Sequence, residues 1–167
     1  MRAVVVYESL WGNTARIAGA IAEGIGQGAE AMSTREATPE VVAEADLLVA
    51  GSPVFAFKMS SDKVRESIGK NPGPAPAPPD LSHPSMASWL KTLPTGTACA
   101  AAFDTEAKGP FGKAAPTIAR SLEGAGYRLI GKPTGFYVSG KYGPLQEGEL
   151  DRARRWGSEL AKNFAIL

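Results

Sequence analysis

The sequence predicts an α/β protein, a parallel sheet with helices on both faces. Two observations carry that reading. Val4-Val5-Val6-Tyr7 and Asp46-Leu47-Leu48-Val49-Ala50-Gly51-Ser52-Pro53 are strand-length apolar runs, the pattern of strands buried on both faces. Segments with apolar residues every three or four positions follow such runs, so strand and helix alternate and the crossovers are right-handed. In sheets of this kind ligands sit beyond the strand carboxyl ends, where strand order reverses.

The opening unit organises the chain. After Tyr7 the apolar run breaks at Glu8-Ser9-Leu10-Trp11-Gly12-Asn13-Thr14, and Ile17, Ile21 and Ile25 with Ala18 and Ala22 then form a helical stripe. A helix N-terminus leaves backbone N–H groups without intrahelical acceptors, and here they point into a turn that carries hydroxyls and a glycine. Ser9 and Thr14 add hydroxyl donors, Asn13 an amide, and Gly12 permits close approach of a phosphate. Neither Gly-x-x-x-x-Gly-Lys-Ser/Thr nor Gly-x-Gly-x-x-Gly is present, which argues against a triphosphate or a dinucleotide. A hydroxyl-rich turn without Lys or Arg suits a monophosphate. The competing reading is an ordinary strand-to-helix turn capped by Asn13 or Ser9.

The remaining elements follow in order. Gly24, Gly26 and Gly28 end the first helix, and Glu30–Glu36 is expected as a half-exposed strand. Thr38-Pro39-Glu40 opens a short helix with Thr38 as cap. Beyond the 46–53 strand, Ser52 to Ser61 is expected as a loop beside Ser9–Thr14. Ser60 or Ser61 caps a helix through Val64 and Ile68 to Gly69. The proline-rich stretch 71–79 is excluded from helix and central strand and reads as an extended, mobile surface insertion, with a ligand for proline-recognition modules as the alternative. His83-Pro84 opens a helix carrying Met86, Trp89, Leu90 and Leu93, which leaves the lone histidine at a helix entrance as a cap or in solvent. Thr97–Phe103 is the fourth strand, its small side chains suited to close packing on both faces, and Asp104–Gly112 is the loop after it. Lys113–Ala125 is amphipathic, Tyr127–Val138 is a fifth strand interrupted at Lys132-Pro133, and Glu149–Phe164 is the last helix.

Composition narrows the class. At 167 residues with 44% hydrophobic and 21% charged side chains, the chain reads as one soluble domain, residues 1–167, with a cytoplasmic location expected. No apolar run approaches membrane-spanning length. The single cysteine, Cys99, excludes an intramolecular disulfide and a cysteine metal cluster, and it reads as a buried thiol. A net charge of +1 gives no general attraction to nucleic acid. No constellation for acid–base or nucleophilic catalysis is visible, and Ser9 is not in a Gly-x-Ser-x-Gly elbow.

Ser9-x-x-Gly12-Asn13-Thr14 directly after a first strand resembles the phosphate loop of the flavodoxin family, usually Thr/Ser-x-Thr-Gly-x-Thr, which binds the phosphate of flavin mononucleotide (FMN). Trp11 stands where the family usually carries its second hydroxyl, so the indole either covers the site or intrudes on it. The resemblance covers essentially the whole chain. It implies a three-layer, doubly wound, five-stranded parallel sheet of order 2-1-3-4-5, in its short form.

The resemblance further implies FMN as cofactor, no metal, and contacts from three loops. The first is Ser9, Leu10, Trp11, Gly12, Asn13 and Thr14. The second is Pro53, Val54, Phe55, Ala56 and Phe57, with Phe55 or Phe57 stacked on the flavin ring. The third is Phe103, Asp104, Thr105, Lys108 and Gly109. Where the family often places a Tyr on the outer face of the ring, no Tyr or Trp occurs between Phe103 and Gly112; either Phe111 substitutes or that face is open.

The expected function is therefore FMN-dependent redox chemistry, with a redox protein or a small-molecule electron acceptor as partner. Family members that shuttle electrons are strongly acidic, whereas this chain places Lys58, Lys63, Arg65, Lys108 and Lys113 in or just after the ring loops. Positive charge there favours the reduced, anionic flavin, which points to a small reductase, for instance of quinones, over an acidic carrier. The alternative is a flavodoxin-like binding or scaffold module that has lost flavin.

Overall fold

The computed structural model describes residues 1–167. Strand β1 (Ala3–Tyr7) leads into α1 (Asn13–Ile25), β2 (Ala29–Ser33), α2 (Pro39–Ala43), β3 (Leu47–Phe55) and a two-residue β4 (Lys58–Met59). Then come α3 (Asp62–Lys70), α4 (Met86–Leu90), β5 (Cys99–Ala107), α5 (Ala115–Gly124), β6 (Arg128–Leu129), β7 (Thr134–Val138) and α6 (Glu149–Ala165). The sheet runs β2-β1-β3-β5, with β6 and β7 both paired to the outer side of β5, and all of these pairings are parallel. Taken as two halves of one broken strand, β6 and β7 complete the expected order 2-1-3-4-5. The break falls at Ile130–Pro133, where Pro133 has no N–H for a ladder.

Alternation along β1, β3 and β5 feeds two cores. Val5, Leu47, Val49, Ala101 and Phe103 meet α1 and α6 on one face. Val4, Val6, Leu48, Ala100 and Ala102 meet α2, α4 and α5 on the other. Helices α1 and α6 touch backbone to backbone. A Cβ on Gly24 would stand 2.0 Å from the Arg154 carbonyl oxygen, and one on Gly157 would stand 2.2 Å from that of Ile21. This contact fixes α1, and with it the turn at its mouth. No helix is long and apolar enough to cross a membrane.

Three boundaries differ from the sequence reading, each for a tertiary reason. The fourth strand does not stop at Phe103. Asp104 to Ala107 continue as strand because β3 pairs as far as Thr105 on one side and β7 runs beside Phe103–Ala107 on the other. The 52–61 segment is not all loop: β3 extends to Phe55 and turns back through Ala56-Phe57 onto β4. The helix expected from His83 begins at Met86, capped by Ser85, whose hydroxyl accepts from Ser88 N–H at 3.1 Å, and it ends at Leu90.

Candidate functional site

The strand-to-helix turn is built as a cradle. Gly12, at φ 91°, caps α1 in a conformation that L residues avoid, and its N–H donates to Ser9 Oγ at 3.1 Å. By helix geometry the amides of Asn13, Thr14 and Ala15 have no acceptor within α1. A Cβ on Gly12 would meet nothing within 4 Å, so the space above it is open. The Thr14 hydroxyl is paired with that of Thr105 on β5 at 2.8 Å, which joins the turn to the carboxyl end of that strand.

Ser9, Leu10, Trp11, Asn13 and Thr14 line a hollow of about 70 Å³ together with Pro53, Val54, Phe55 and Thr105. Ala107, Val138, Gly140 and Lys141 complete it. The hollow has room for a compact anion. It adjoins a second, apolar groove of about 450 Å³, and Val54, Phe55, Ala107 and Lys141 border both. Ala56, Phe57, Val64, Ile68 and Phe111 form the rest of the groove. Phe57 and Phe111 are 69% and 52% exposed, and the backbones of Phe57 and Gly112 pair, so the two crossover loops close one end.

Trp11 forms a wall of the hollow. Its indole N–H donates to the Ala77 carbonyl at 2.9 Å, and its ring meets Tyr142 edge-on at 4.7 Å between centroids and Phe55 at 6.2 Å. The proline-rich segment is thus fastened beside the site: the Tyr142 hydroxyl donates to the Pro72 carbonyl, and Asn13 Nδ2 donates to the Tyr142 carbonyl at 3.0 Å. Tyr142, Lys141 and their loop escaped sequence reading. The signal available was topological, since every loop after a strand of this sheet emerges at the same edge.

Other expected residues lie elsewhere. Phe103 is fully buried between Phe136 and Trp156, with ring centroids 6.2 and 6.4 Å away, so it belongs to the core. Asp104 is also fully buried, and its Oδ2 accepts from Ala114 and Ala115 N–H at 2.8 Å each, capping the N-terminus of α5 in place of a local side chain. Lys108 lies over the Tyr137 ring at 5.8 Å, and neither it nor Gly109 borders the hollow or groove. Gly12 shapes the turn without lining the hollow.

Two of the cations expected at the ring loops are committed to carboxylates. Arg65 is buried with its Nε 3.2 Å from Glu8, and Lys113 binds Glu106 at 2.9 Å. Burial holds the Glu8 carboxyl above its ordinary value, while Met86 N–H, the Ser60 hydroxyl and Arg65 draw it back toward the charged form. The lone histidine is not exposed at a helix entrance. It is buried against the turn between β1 and α1, where its Nε2 accepts from Ser9 N–H at 3.0 Å.

No family model matches the chain, and no curated protein matches its sequence. Solved structures do. A flavodoxin from the domain Archaea superposes with a TM-score of 0.69 at 22% identity over 99% of both chains. Oxidised flavodoxin 1 from Bacillus cereus gives 0.64 at 13% identity over 97% of this chain and 98% of that one. Rubredoxin oxygen:oxidoreductase from Desulfovibrio gigas gives 0.64 at 18% identity, covering 99% of this chain and 36% of its own. The fold is flavodoxin-like.

Proposed function

We propose that this chain binds FMN non-covalently and serves as a redox protein, a small flavin-dependent reductase, with quinones among the acceptors that fit. One observation carries the reading: an anion-sized hollow at the mouth of α1 opens into an apolar groove between two crossover loops. The residues fit the cofactor. The amides of Asn13, Thr14 and Ala15 and the Ser9 and Thr14 hydroxyls would hold the phosphate, with Gly12 shaping the turn that presents them. Phe55, Phe57 and Phe111 would receive the ring. Bound flavin supplies one- and two-electron chemistry that no side chain here possesses. The protein places it, shields one side, and sets the local charge.

Lys141 borders both hollow and groove, and Lys58 and Lys108 stand on the flanking loops. Positive charge at this position stabilises an added electron and raises the potential. The exposed Phe57 and Phe111 leave the groove accessible to a flat acceptor. The fold and the flavodoxin neighbours support the cofactor, and the local charge supports the reductase over the acidic carrier.

Addition of FMN to the purified protein should quench flavin fluorescence at one equivalent; unquenched flavin would leave the scaffold alternative standing. With flavin bound, Lys141→Gln should make the fully reduced couple more negative. A couple unmoved by that change, and as low as that of an acidic carrier, would overturn the reductase assignment.

A further inference from the structure

The phosphate turn is itself held in shape by a histidine. His83 is 5% exposed, and its Nε2 accepts from Ser9 N–H at 3.0 Å. A ring nitrogen accepts only when it carries no proton, so the imidazole is the neutral Nδ1–H tautomer. Three residues earlier on the same segment, Asp80 N–H donates to the Leu10 carbonyl at 2.8 Å. Segment 80–83 therefore grips two consecutive residues of the turn. The grip reaches the anion site because the Ser9 hydroxyl accepts from Gly12 N–H, the bond that closes the turn.

The ring's surroundings are defined on every side. Asp80 Oδ1 lies 3.7 Å from Nδ1, and Arg65 of α3 donates through Nη2 to the His83 carbonyl at 2.6 Å while facing Glu8 at the end of β1. Tyr7, Arg35 and Glu36 share with His83 and Asp80 a polar hollow of about 520 Å³, which lets protons reach the ring without unfolding. Burial and then Arg65 hold the ring's pKa below its ordinary value, against the pull of Asp80.

We propose that His83 is a positioning residue that makes the anion site pH-sensitive: with Nε2 bare it fixes Ser9 and the turn, and a proton on Nε2 releases them. That proton would set two N–H groups against each other across 3.0 Å, so ring or turn must move. The ligand affected rests on the FMN reading, whereas the coupling between His83 and Ser9 does not.

The test is FMN affinity by fluorescence quenching between about pH 8 and about pH 5 for wild type, His83→Gln and His83→Phe. The FMN phosphate also titrates near pH 6, but identically for all three proteins, so their differences isolate the ring. Gln keeps an acceptor that does not titrate; Phe keeps bulk without one. H83Q should match wild type at the alkaline end and exceed it by about tenfold at the acid end, and H83F should bind about tenfold more weakly at the alkaline end. Parallel profiles for wild type and H83Q, or unimpaired binding by H83F, would overturn the proposal.

Absence of FMN binding by every protein would defeat the cofactor reading alone. The second readout then decides: amide NMR of the ligand-free wild-type chain should show Ser9 N–H and the His83 ring titrating with one midpoint. A Ser9 amide indifferent to the ring's protonation would defeat the role given to His83.

Discussion

Replacing Asp104 with Asn should stabilise the protein at neutral and alkaline pH and leave it unchanged in acid. Asp104 and Glu106 lie on one face of β5, 0% and 4% exposed. One oxygen of each is engaged, Asp104 Oδ2 by the Ala114 and Ala115 amides and Glu106 Oε1 by Lys113. The other two, Asp104 Oδ1 and Glu106 Oε2, have no protein donor. Both face the bare Cα of Gly135, where a Cβ would stand 2.9 and 2.6 Å from them. Two carboxyls so placed hold a proton between them. Burial, and then contact with Glu106, push Asp104 up to about 7 from 3.8.

The folded-state value lies above the unfolded one, so between these two values the native state binds more protons and stability falls as pH rises. The contribution is fully present below the unfolded value of 3.8 and lost by about 7. At about 1.4 kcal/mol per pH unit, the loss has an upper bound of about 4 kcal/mol. Asn reproduces the protonated acid: its oxygen retains the two α5 amides and its NH₂ faces Glu106. Urea unfolding should give equal stabilities near pH 4 and an advantage of about 2–4 kcal/mol for D104N near pH 8. Contributions from Glu8 and His83 cancel in the difference. A variant no more stable than wild type near pH 8 would refute the shared proton.

Two further substitutions probe backbone geometry. Gly12→Ala places a Cβ at φ 91° in space that holds no protein atom within 4 Å, so it should cost about 1–2 kcal/mol of stability; FMN affinity should fall at least about tenfold if the phosphate occupies that space, and an unchanged Kd would exclude it. Ala56 and Phe57 have φ of 50° and 68° in the two-residue turn between Phe55 and Lys58, the mirror-image hairpin geometry that favours glycine. Ala56→Gly should therefore raise stability by about 0.5–1 kcal/mol after the entropy that glycine adds to the unfolded chain, and a lowered thermal midpoint would contradict the strain.

What the sequence made legible was whatever depends on neighbours along the chain. The β1–turn–α1 unit, the Thr38 cap and the Ser61 cap stand where local pattern puts them, with Thr38 accepting from Val41 N–H and Ser61 from Val64 N–H. Alternation pointed to the parallel sheet, and the resemblance of the first turn to the flavodoxin phosphate loop supplied the strand order. What stayed hidden depends on residues far apart in the chain. Asp104-Thr105-Glu106 reads as loop because carboxylates rarely sit inside a sheet, and it becomes strand only when β3 and β7 flank it and the α5 amides take Asp104. His83 reads as a helix entrance because its partner, Ser9, is 74 residues away. The proline-rich segment reads as free because its ties to Trp11 and Tyr142 span 66 and 70 residues. Trp11 then stands as a wall with its polar edge satisfied, a role no local pattern encodes.

The same distance problem alters the electrostatics. Of the cations expected near the ring, Arg65 is spent on Glu8 and the His83 carbonyl, and Lys113 on Glu106. Below about pH 7, where one proton is shared between Asp104 and Glu106, that pair together with Lys113 carries almost no net charge. The field in the groove is left to exposed lysines, and screening by salt reduces the influence of each with distance. Lys141 borders both the hollow and the groove, so it would act on a bound phosphate and a bound ring together, whereas Lys63, on the α3 surface, borders neither. The overall charge of +1 would therefore say little about the potential of a flavin, were one bound here. One lysine, delivered by the loop after β7, weighs more than the sum along the chain.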